Sequence, residues 1–429
     1  MKLWRIRDRL LGGDAQHVFR GMITLAMGSG MARLVGLAAI PVLTRIYEPT
    51  HYGVLSIYVA MVSMIAPALS LRYVLALPLP RKDATALYLL YISGALILSF
   101  GVIASLLLWG VGESLFKWMS MDVLAPWWWL VVLGAMSNAL YEALNMWAIR
   151  KRNYRIVART QLFQSVLGEG LKLGLGVLGI KPFGLMFGQL ASYGGGISSL
   201  FMQFRHEFYS GLRKIRWSRV KTVAYYYRGY PTYRIMSQML LVFSMQAPLM
   251  LTAKYFDAAV TGQLSLALMA LALPVNLLGD SMSKAYYAEI SEIGKRQSEK
   301  IRQMTHKVIW RLVALSLIPA LTLIFGGEWL FKMVFGLQWA SAGKFASILG
   351  IYLAFQFVQK PVSYLMFVFE GQRQLLYLNI QRALLTVLAF YGGYHISGDI
   401  YTIVYIYGIS LSAHYAFSII VALKKIPKS

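Results

Sequence analysis

Residues 44–58 read Thr44-Arg-Ile-Tyr-Glu-Pro-Thr-His-Tyr-Gly-Val-Leu-Ser-Ile-Tyr58, and residues 253–267 read Ala253-Lys-Tyr-Phe-Asp-Ala-Ala-Val-Thr-Gly-Gln-Leu-Ser-Leu-Ala267. A basic residue, an aromatic, an acid, then Gly, Leu and Ser recur at one spacing: Arg45 with Lys254, Glu48 with Asp257, Gly53 with Gly262. Further along, Gly112-Glu-Ser-Leu-Phe-Lys-Trp-Met119 lies over Gly327-Glu-Trp-Leu-Phe-Lys-Met-Val334. The two offsets, 209 and 215, agree and keep the same order along the chain. The chain is therefore read as an internal duplication.

Each half is built from apolar runs. A membrane helix takes roughly 20 mostly apolar residues, and twelve such runs are predicted, at about 20–43, 52–79, 87–109, 125–148, 160–180, 184–203, 233–253, 258–283, 309–330, 345–368, 375–394 and 400–422. Six spans per half is an even number, so both halves have the same orientation, related by an axis along the membrane normal. The expected fold is an all-α polytopic membrane protein: two six-helix lobes around a central cavity. Residues 1–203 form the N-terminal lobe, 204–232 a basic, tyrosine-rich linker, and 233–429 the C-terminal lobe.

Composition agrees. Of 429 residues only 14% are charged and 58% are hydrophobic, whereas a soluble chain would carry about a quarter charged residues. The net charge of +25 would point to nucleic acid in a soluble protein. Here thirty of the 42 basic residues fall on the side of the spans that also holds the termini, and six fall on the other. Cytoplasmic segments carry the Lys/Arg excess, so both termini are expected in the cytoplasm and the charge reads as topology. No nucleic-acid partner is expected. The opening Leu3, Trp4, Ile6 and Leu10 among arginines reads as an amphipathic surface anchor.

Ionisable groups at membrane depth are costly and are functional candidates by default. Arg33, Arg72, Lys172, Arg234, Lys360 and Arg382 fall inside spans, against Glu142, Glu169 and Asp280. The positive surplus implies a cavity suited to an anion. Arg33 sits between Gly28, Gly30 and Gly36, which permit close packing, and its guanidinium can fork onto phosphate oxygens; the alternative is an ion pair with an acid on another helix. Arg382 is placed similarly in the eleventh span.

Lys360 precedes Pro361, where a kink would expose carbonyls beside a cation, and the repeat puts it opposite Glu142 as a partner. Glu169 and Lys172, three apart, are neighbours that either neutralise each other or relay an ion. Arg72 and Asp280 lie near the inner ends of the second and eighth spans, at nearly equivalent points of the repeat. Arg33, Arg72, Lys360 and Arg382 are thus the substrate-binding candidates, and Glu142, Glu169, Lys172 and Asp280 the ion-coupling candidates. Arg234 reads as a snorkelling anchor, and Trp127–Trp129 as an interfacial belt or a stacking face for sugar. Pro67, Pro274, Pro319 and Pro361 mark expected breaks.

Several chemistries find no support. There is no cysteine, and the six histidines show no metal-ligand spacing. No P-loop, no Asp-x-Asp pair and no Ser/His/Asp set is recognisable. An enzyme is not expected, nor a metal or other cofactor.

The stretch Gly28-Ser-Gly-Met-Ala-Arg33, with Pro41-Val-Leu-Thr-Arg-Ile-Tyr-Glu-Pro-Thr-His-Tyr-Gly53 and Ser70-Leu-Arg-Tyr-Val-Leu-Ala-Leu-Pro-Leu-Pro80, resembles the Wzx-type O-antigen and polysaccharide flippases. These belong to the multidrug/oligosaccharidyl-lipid/polysaccharide (MOP) exporter superfamily. The resemblance implies a two-lobe fold in the bacterial inner membrane and alternating access. It also implies transfer of an undecaprenyl-pyrophosphate-linked oligosaccharide, such as a lipopolysaccharide repeat unit, to the periplasmic leaflet. Its implied partners are that lipid-linked oligosaccharide, membrane lipids, and the polysaccharide polymerase and chain-length regulator. Relatives often carry an acid where this chain has Val74. The lipid II flippase branch usually has fourteen spans. The alternative is a drug or small organic-ion exporter of the same superfamily, against which Arg33 in the first span argues.

Overall fold

The computed structural model describes residues 14–213, 215–294, 297–369 and 371–427; the amphipathic start expected at Leu3–Leu10 lies outside them. Among the described residues every regular element is helical. The α-helices in chain order are α1 (Asp14–Ile46), α2 (Pro49–Leu69), α3 (Asp83–Trp118), α4 (Trp128–Arg150), α5 (Tyr154–Val177), α6 (Phe183–Gly194), α7 (Ile197–Leu212) and α8 (Trp217–Tyr226). There follow α9 (Ile235–Tyr255), α10 (Ala258–Pro274), α11 (Asp280–Ile293), α12 (Ser298–Phe335), α13 (Ala340–Ile348), α14 (Gly350–Val362), α15 (Leu365–Val368), α16 (Gln372–Ile396) and α17 (Ile400–Lys424).

Each predicted apolar run coincides with one helix or a broken helix. Seven helices among the described residues are long and apolar enough to cross a membrane, or eight if the bent pair spanning 337–348 and 350–368 counts as one. Four runs, the fifth to the eighth, fall outside that count, and three of them have local causes. The fifth run, α5, carries Arg155, Arg159, Glu169 and Lys172. The sixth is divided at 195–196 between α6 and α7. The eighth is interrupted by a π-helical turn, Val275–Gly279, directly after Pro274.

The prolines act unequally. Pro274 ends α10 and Pro361 sits in the last turn of α14, whereas α12 continues through Pro319 for 38 residues. The 56° bend of the tenth run falls between Ile348 and Gly350 rather than at Pro361.

Polar caps and glycines set the helix ends. The side chains of Asn153, Asp257 and Asp399 accept the backbone N–H of Ile156, Val260 and Thr402, satisfying donors that the first turn leaves open. At the C-terminus of α12 the chain leaves the helix at Gly336 with φ 109°, a conformation side chains resist.

The chain divides into two compact units, residues 1–47 with 58–117 and 122–239, and residues 48–57 with 118–121 and 240–429. In the first, α1 lies along α5 and α5 along α6. Membrane helices associate through small residues: Gly28 leaves no room for a Cβ against Ala158, nor Gly168 against Ser192. In the second, α12 packs on α13 and α14 by the same device, with Gly327 against Ser347 and Gly343.

The repeat read from the sequence has structural counterparts. Glu113 and Lys117 pair at 2.6 Å on α3, and Glu328 and Lys332 pair at 2.6 Å on α12. Phe116 and Phe331, between them in sequence, are both buried. Within the second unit α2 and α10 begin side by side, and Gly53 and Gly262 are the points of contact.

Candidate functional site

The charges within the predicted spans fall into five sets, each held by identifiable elements. The first joins the end of α2 to α4. After Leu69 the chain turns through Leu71 and Arg72, both with positive φ (44° and 59°), a conformation rare outside glycine. The turn aims the Arg72 guanidinium at Glu142, one Nη donating to both carboxylate oxygens at 3.0 and 3.2 Å. The side chains retain 12% and 28% exposure, so the pair is largely desolvated. Beside it, the Nε of Arg72, the Ser70 hydroxyl and the Asn145 amide oxygen are buried with no hydrogen-bond partner among the described residues. Buried polar atoms are nearly always satisfied, so this cluster has bonding capacity beyond the ion pair.

Glu142 was expected opposite Lys360; its partner is Arg72. Lys360 instead donates from α14 to the π-helical turn after Pro274, reaching Asn276 Oδ1 at 3.1 Å and the Val275 carbonyl at 3.4 Å. A residue beside one proline-weakened helix thus grips the segment loosened by another. A Cβ on Gly279 would lie 3.5 Å from the Lys360 side chain, so the turn and the lysine stem are in close apposition. Asp280 begins α11 at this point; its side chain lies outside the described residues, so its expected role has no geometry to report.

On α5, Lys172 donates to Glu169 at 2.9 Å, the neighbourhood their spacing implies, and both are largely buried. Gly188 of α6 closes over the lysine stem, and the Tyr47 hydroxyl donates to the Lys172 carbonyl at 2.8 Å. The ammonium has little room to leave the carboxylate.

Arg382 on α16 has different company. Its guanidinium carbon lies 5.9 Å from the centroid of the Tyr415 ring, and the hydroxyls of Tyr352 and Tyr407 are close enough to feel its charge. These three tyrosines, from α14 and α17, are all buried. Tyr352 stacks obliquely on Tyr407 and Tyr415 at 6.0 and 5.6 Å. Next to the arginine, Gln381 Oε1 meets His414 Nδ1 at 3.1 Å. The Nε of Arg382 is buried without a hydrogen bond, and no carboxylate pairs with it among the described residues. A half-buried guanidinium without a paired carboxylate carries a partial desolvation cost, and aromatic faces offset part of that cost.

Arg33 is exposed on α1. The turns around it are fastened to α5: Ser29 Oγ donates to Gln161 at 2.5 Å, and Ser165 Oγ to the Ala32 carbonyl at 2.7 Å. Its helix is therefore a fixed platform at that depth.

One cluster escaped the sequence reading. Arg150 donates to the carbonyls of Leu77, Pro78 and Pro80 and to Asp83, while Lys151 bridges Asp83 and Glu207. By sequence both belong to the basic excess on the side of the termini, and in the structure they fix the loop that follows Arg72. Three carbonyls left open beside two prolines were the available signal. The Trp127 and Trp129 rings pack on Phe183 and Phe187 of α6, with Trp127 and Phe183 centroids 4.0 Å apart. Among the described residues no group of His, Cys, Asp or Glu is arranged to hold a metal ion.

No curated protein matches the chain by sequence. Among solved structures, the chain is similar to the lipid II flippase MurJ in an inward closed conformation, with 12% identity over 94% of this chain and 88% of that chain and a TM-score of 0.67. It is also similar to a MOP superfamily transporter from Pyrococcus furiosus described by the reverse polarity of its binding pocket, with 14% identity, 98% of both chains and a TM-score of 0.63. An inward-facing multidrug resistance MATE family transporter matches with 15% identity over 98% of this chain and 97% of that chain, TM-score 0.59. These likenesses show the fold, that of the MOP transporters, with twelve helices in two lobes. The family of polysaccharide biosynthesis proteins matches residues 42–344, well over half of the sequence, and the chain belongs to that family.

Proposed function

We propose that the protein is a flippase that carries an undecaprenyl-pyrophosphate-linked oligosaccharide, an O-antigen or related repeat unit, from the cytoplasmic to the periplasmic leaflet of the bacterial inner membrane by alternating access. Both termini are cytoplasmic in this reading, and the polymerase and chain-length regulator act downstream. Membership of the polysaccharide biosynthesis family supports a lipid-linked glycan as cargo. The observation that carries the anionic part of the reading is Arg382, a half-buried arginine whose Nε is buried without a hydrogen bond, with the Tyr415 ring beside it and no carboxylate paired with it among the described residues.

Arg33 and Arg382 hold the diphosphate, assisted by Arg72 or Lys360. A phosphate can displace Glu142 from Arg72 because guanidinium forks accept either anion. When the cargo leaves, the pair at 3.0 Å re-forms and neutralises Arg72. Proton or cation binding at Glu142, Glu169 or Asp280 drives that return.

The test is complementation of a flippase-deficient strain together with translocation of a lipid-linked oligosaccharide in proteoliposomes. Charge reversal of Arg33 and Arg382 abolishes surface polysaccharide and translocation. The milder Arg33→Gln/Arg382→Gln variant, checked for native thermal unfolding, separates loss of function from loss of fold. Wild-type translocation by the folded glutamine variant overturns the assignment. Drug resistance with substrate-dependent ion flux and no glycan translocation identifies an exporter instead.

A further inference from the structure

An apolar cavity of about 770 Å³ lies in the first unit, against the ends of α3, α4 and α7 nearest the basic loops. That volume is typical of a ligand site. Leu90, Leu98, Leu140, Leu144, Phe201 and Phe208 make its walls, and Leu212, Ile215 and Trp217 close one end. The cavity has one tyrosine in its lining, Tyr91, and that hydroxyl is already committed, donating to the Phe208 carbonyl at 2.8 Å. Leu98, Phe201 and Trp217 are exposed, so the cavity is open along one side.

The closing segment is fastened down. The Arg216 N–H donates to the Tyr88 hydroxyl at 3.2 Å, and Gly211 permits the close approach of Tyr91 and Leu87. From there α8 continues with Trp217, Tyr225 and Tyr226 exposed, the pattern of a helix lying in a membrane interface.

Charge follows the same segment. Arg213, Arg216 and Arg219 are all exposed. No acidic residue occurs anywhere between Glu207 and Asp257, and Glu207 itself is paired with Lys151 at 2.8 Å. A greasy groove open to the side, closed at one end by a segment whose three exposed arginines make no ion pair among the described residues, matches a molecule with a hydrocarbon chain and an anionic phosphate. We propose that this groove is a binding site for an anionic membrane phospholipid, its acyl chain lying among Leu90, Leu98, Phe201 and Phe208 and its phosphate held by Arg213, Arg216 and Arg219. A zwitterionic lipid brings its own cation next to the arginines and gains much less.

Gly94 supplies a clean probe. It lines the cavity, and a Cβ added there meets no atom within 4 Å, so Gly94→Leu fills the groove without straining the helix. Purified full-length protein is incubated with equimolar phosphatidylglycerol and phosphatidylcholine of matched acyl chains, and retained lipids are counted by native mass spectrometry. The wild type retains phosphatidylglycerol several-fold over phosphatidylcholine. Gly94→Leu loses retention of both, whereas R213Q/R216Q/R219Q keeps chain binding and loses the preference. Equal retention of the two lipids by the wild type, or an unchanged preference in the triple variant, overturns the proposal. So does displacement of phosphatidylglycerol by an equimolar polyprenyl phosphate, which assigns the groove to an isoprenoid.

Discussion

Gly53 and Gly262 face each other's helices reciprocally. A Cβ on Gly53 would fall on the carbonyl of Ala258, and a Cβ on Gly262 would fall on the carbonyl of Pro49. Pro49 and Ala258 are the first residues of α2 and α10 and sit four positions before their respective glycines. The contact is thus its own image under the sequence repeat, two copies of one helix start meeting through the side chain each lacks.

In an ordinary exposed helix, Gly→Ala stabilises by roughly 1 kcal/mol. Here the sign reverses. Gly53→Ala and Gly262→Ala each force backbone to move, and overpacking of this kind costs about 1–3 kcal/mol. Because the two glycines share one interface, the double variant costs less than the sum of the singles. Thermal unfolding in detergent, followed by fluorescence of the 11 tryptophans, measures both effects. A Gly53→Ala protein that melts above the wild type refutes the close approach.

Arg72 and Glu142 lend themselves to a double-variant cycle. Removing one partner strands a desolvated charge, so Arg72→Gln and Glu142→Gln are each destabilised by about 1–3 kcal/mol. Residual exposure of 12% and 28% keeps that cost below the fully buried case. R72Q/E142Q recovers part of the loss. If the pair also works by exchanging Glu142 for phosphate, the double variant regains stability but not translocation. Recovery of both reduces the pair to a structural one.

The contrast between these two sites explains what the sequence could reveal. Gly53 and Gly262, and the twin pairs Glu113–Lys117 and Glu328–Lys332, are legible because duplication repeats a local spacing. Glu169 and Lys172 are legible because three residues on a helix is a fixed distance. Arg72 and Glu142 are 70 positions apart on separate helices, and their meeting depends on a left-handed turn at Leu71 and Arg72 that no glycine announces. Lys360 reaches Asn276 only because the chain after Pro274 adopts a π-helical turn. The tyrosines around Arg382 are spread over two helices and, in sequence, are indistinguishable from the other aromatic residues of a 27-tyrosine chain.

Glu169 and Lys172 should behave oppositely as singles and as a double. Glu169→Gln leaves the Lys172 ammonium buried without its carboxylate, a loss of about 3–5 kcal/mol for such groups. Glu169→Leu/Lys172→Met replaces the pair with apolar side chains of similar bulk and is neutral or stabilising, since a buried ion pair repays little of its desolvation. Translocation by this double variant in proteoliposomes then decides between relay and filler. Full activity with unchanged ion dependence removes Glu169 from the coupling candidates.

Arg382 is the residue at which stability and function should diverge most. Its Nε is buried without a hydrogen bond, and among the described residues its charge meets the Tyr415 ring and no carboxylate, so the guanidinium adds little to the resting fold. Arg382→Met, which keeps the length of the side chain and discards the charge, should melt at or above the wild-type temperature. If the guanidinium exists to receive a phosphate, the same variant loses translocation. Tyr415→Phe keeps the ring face and removes the hydroxyl that Gln356 Nε2 reaches at 3.4 Å, so it shifts translocation far less than Arg382→Met. A marked drop in melting temperature for Arg382→Met means that the charge is satisfied within the fold, and the anion-binding role then falls to the other cations.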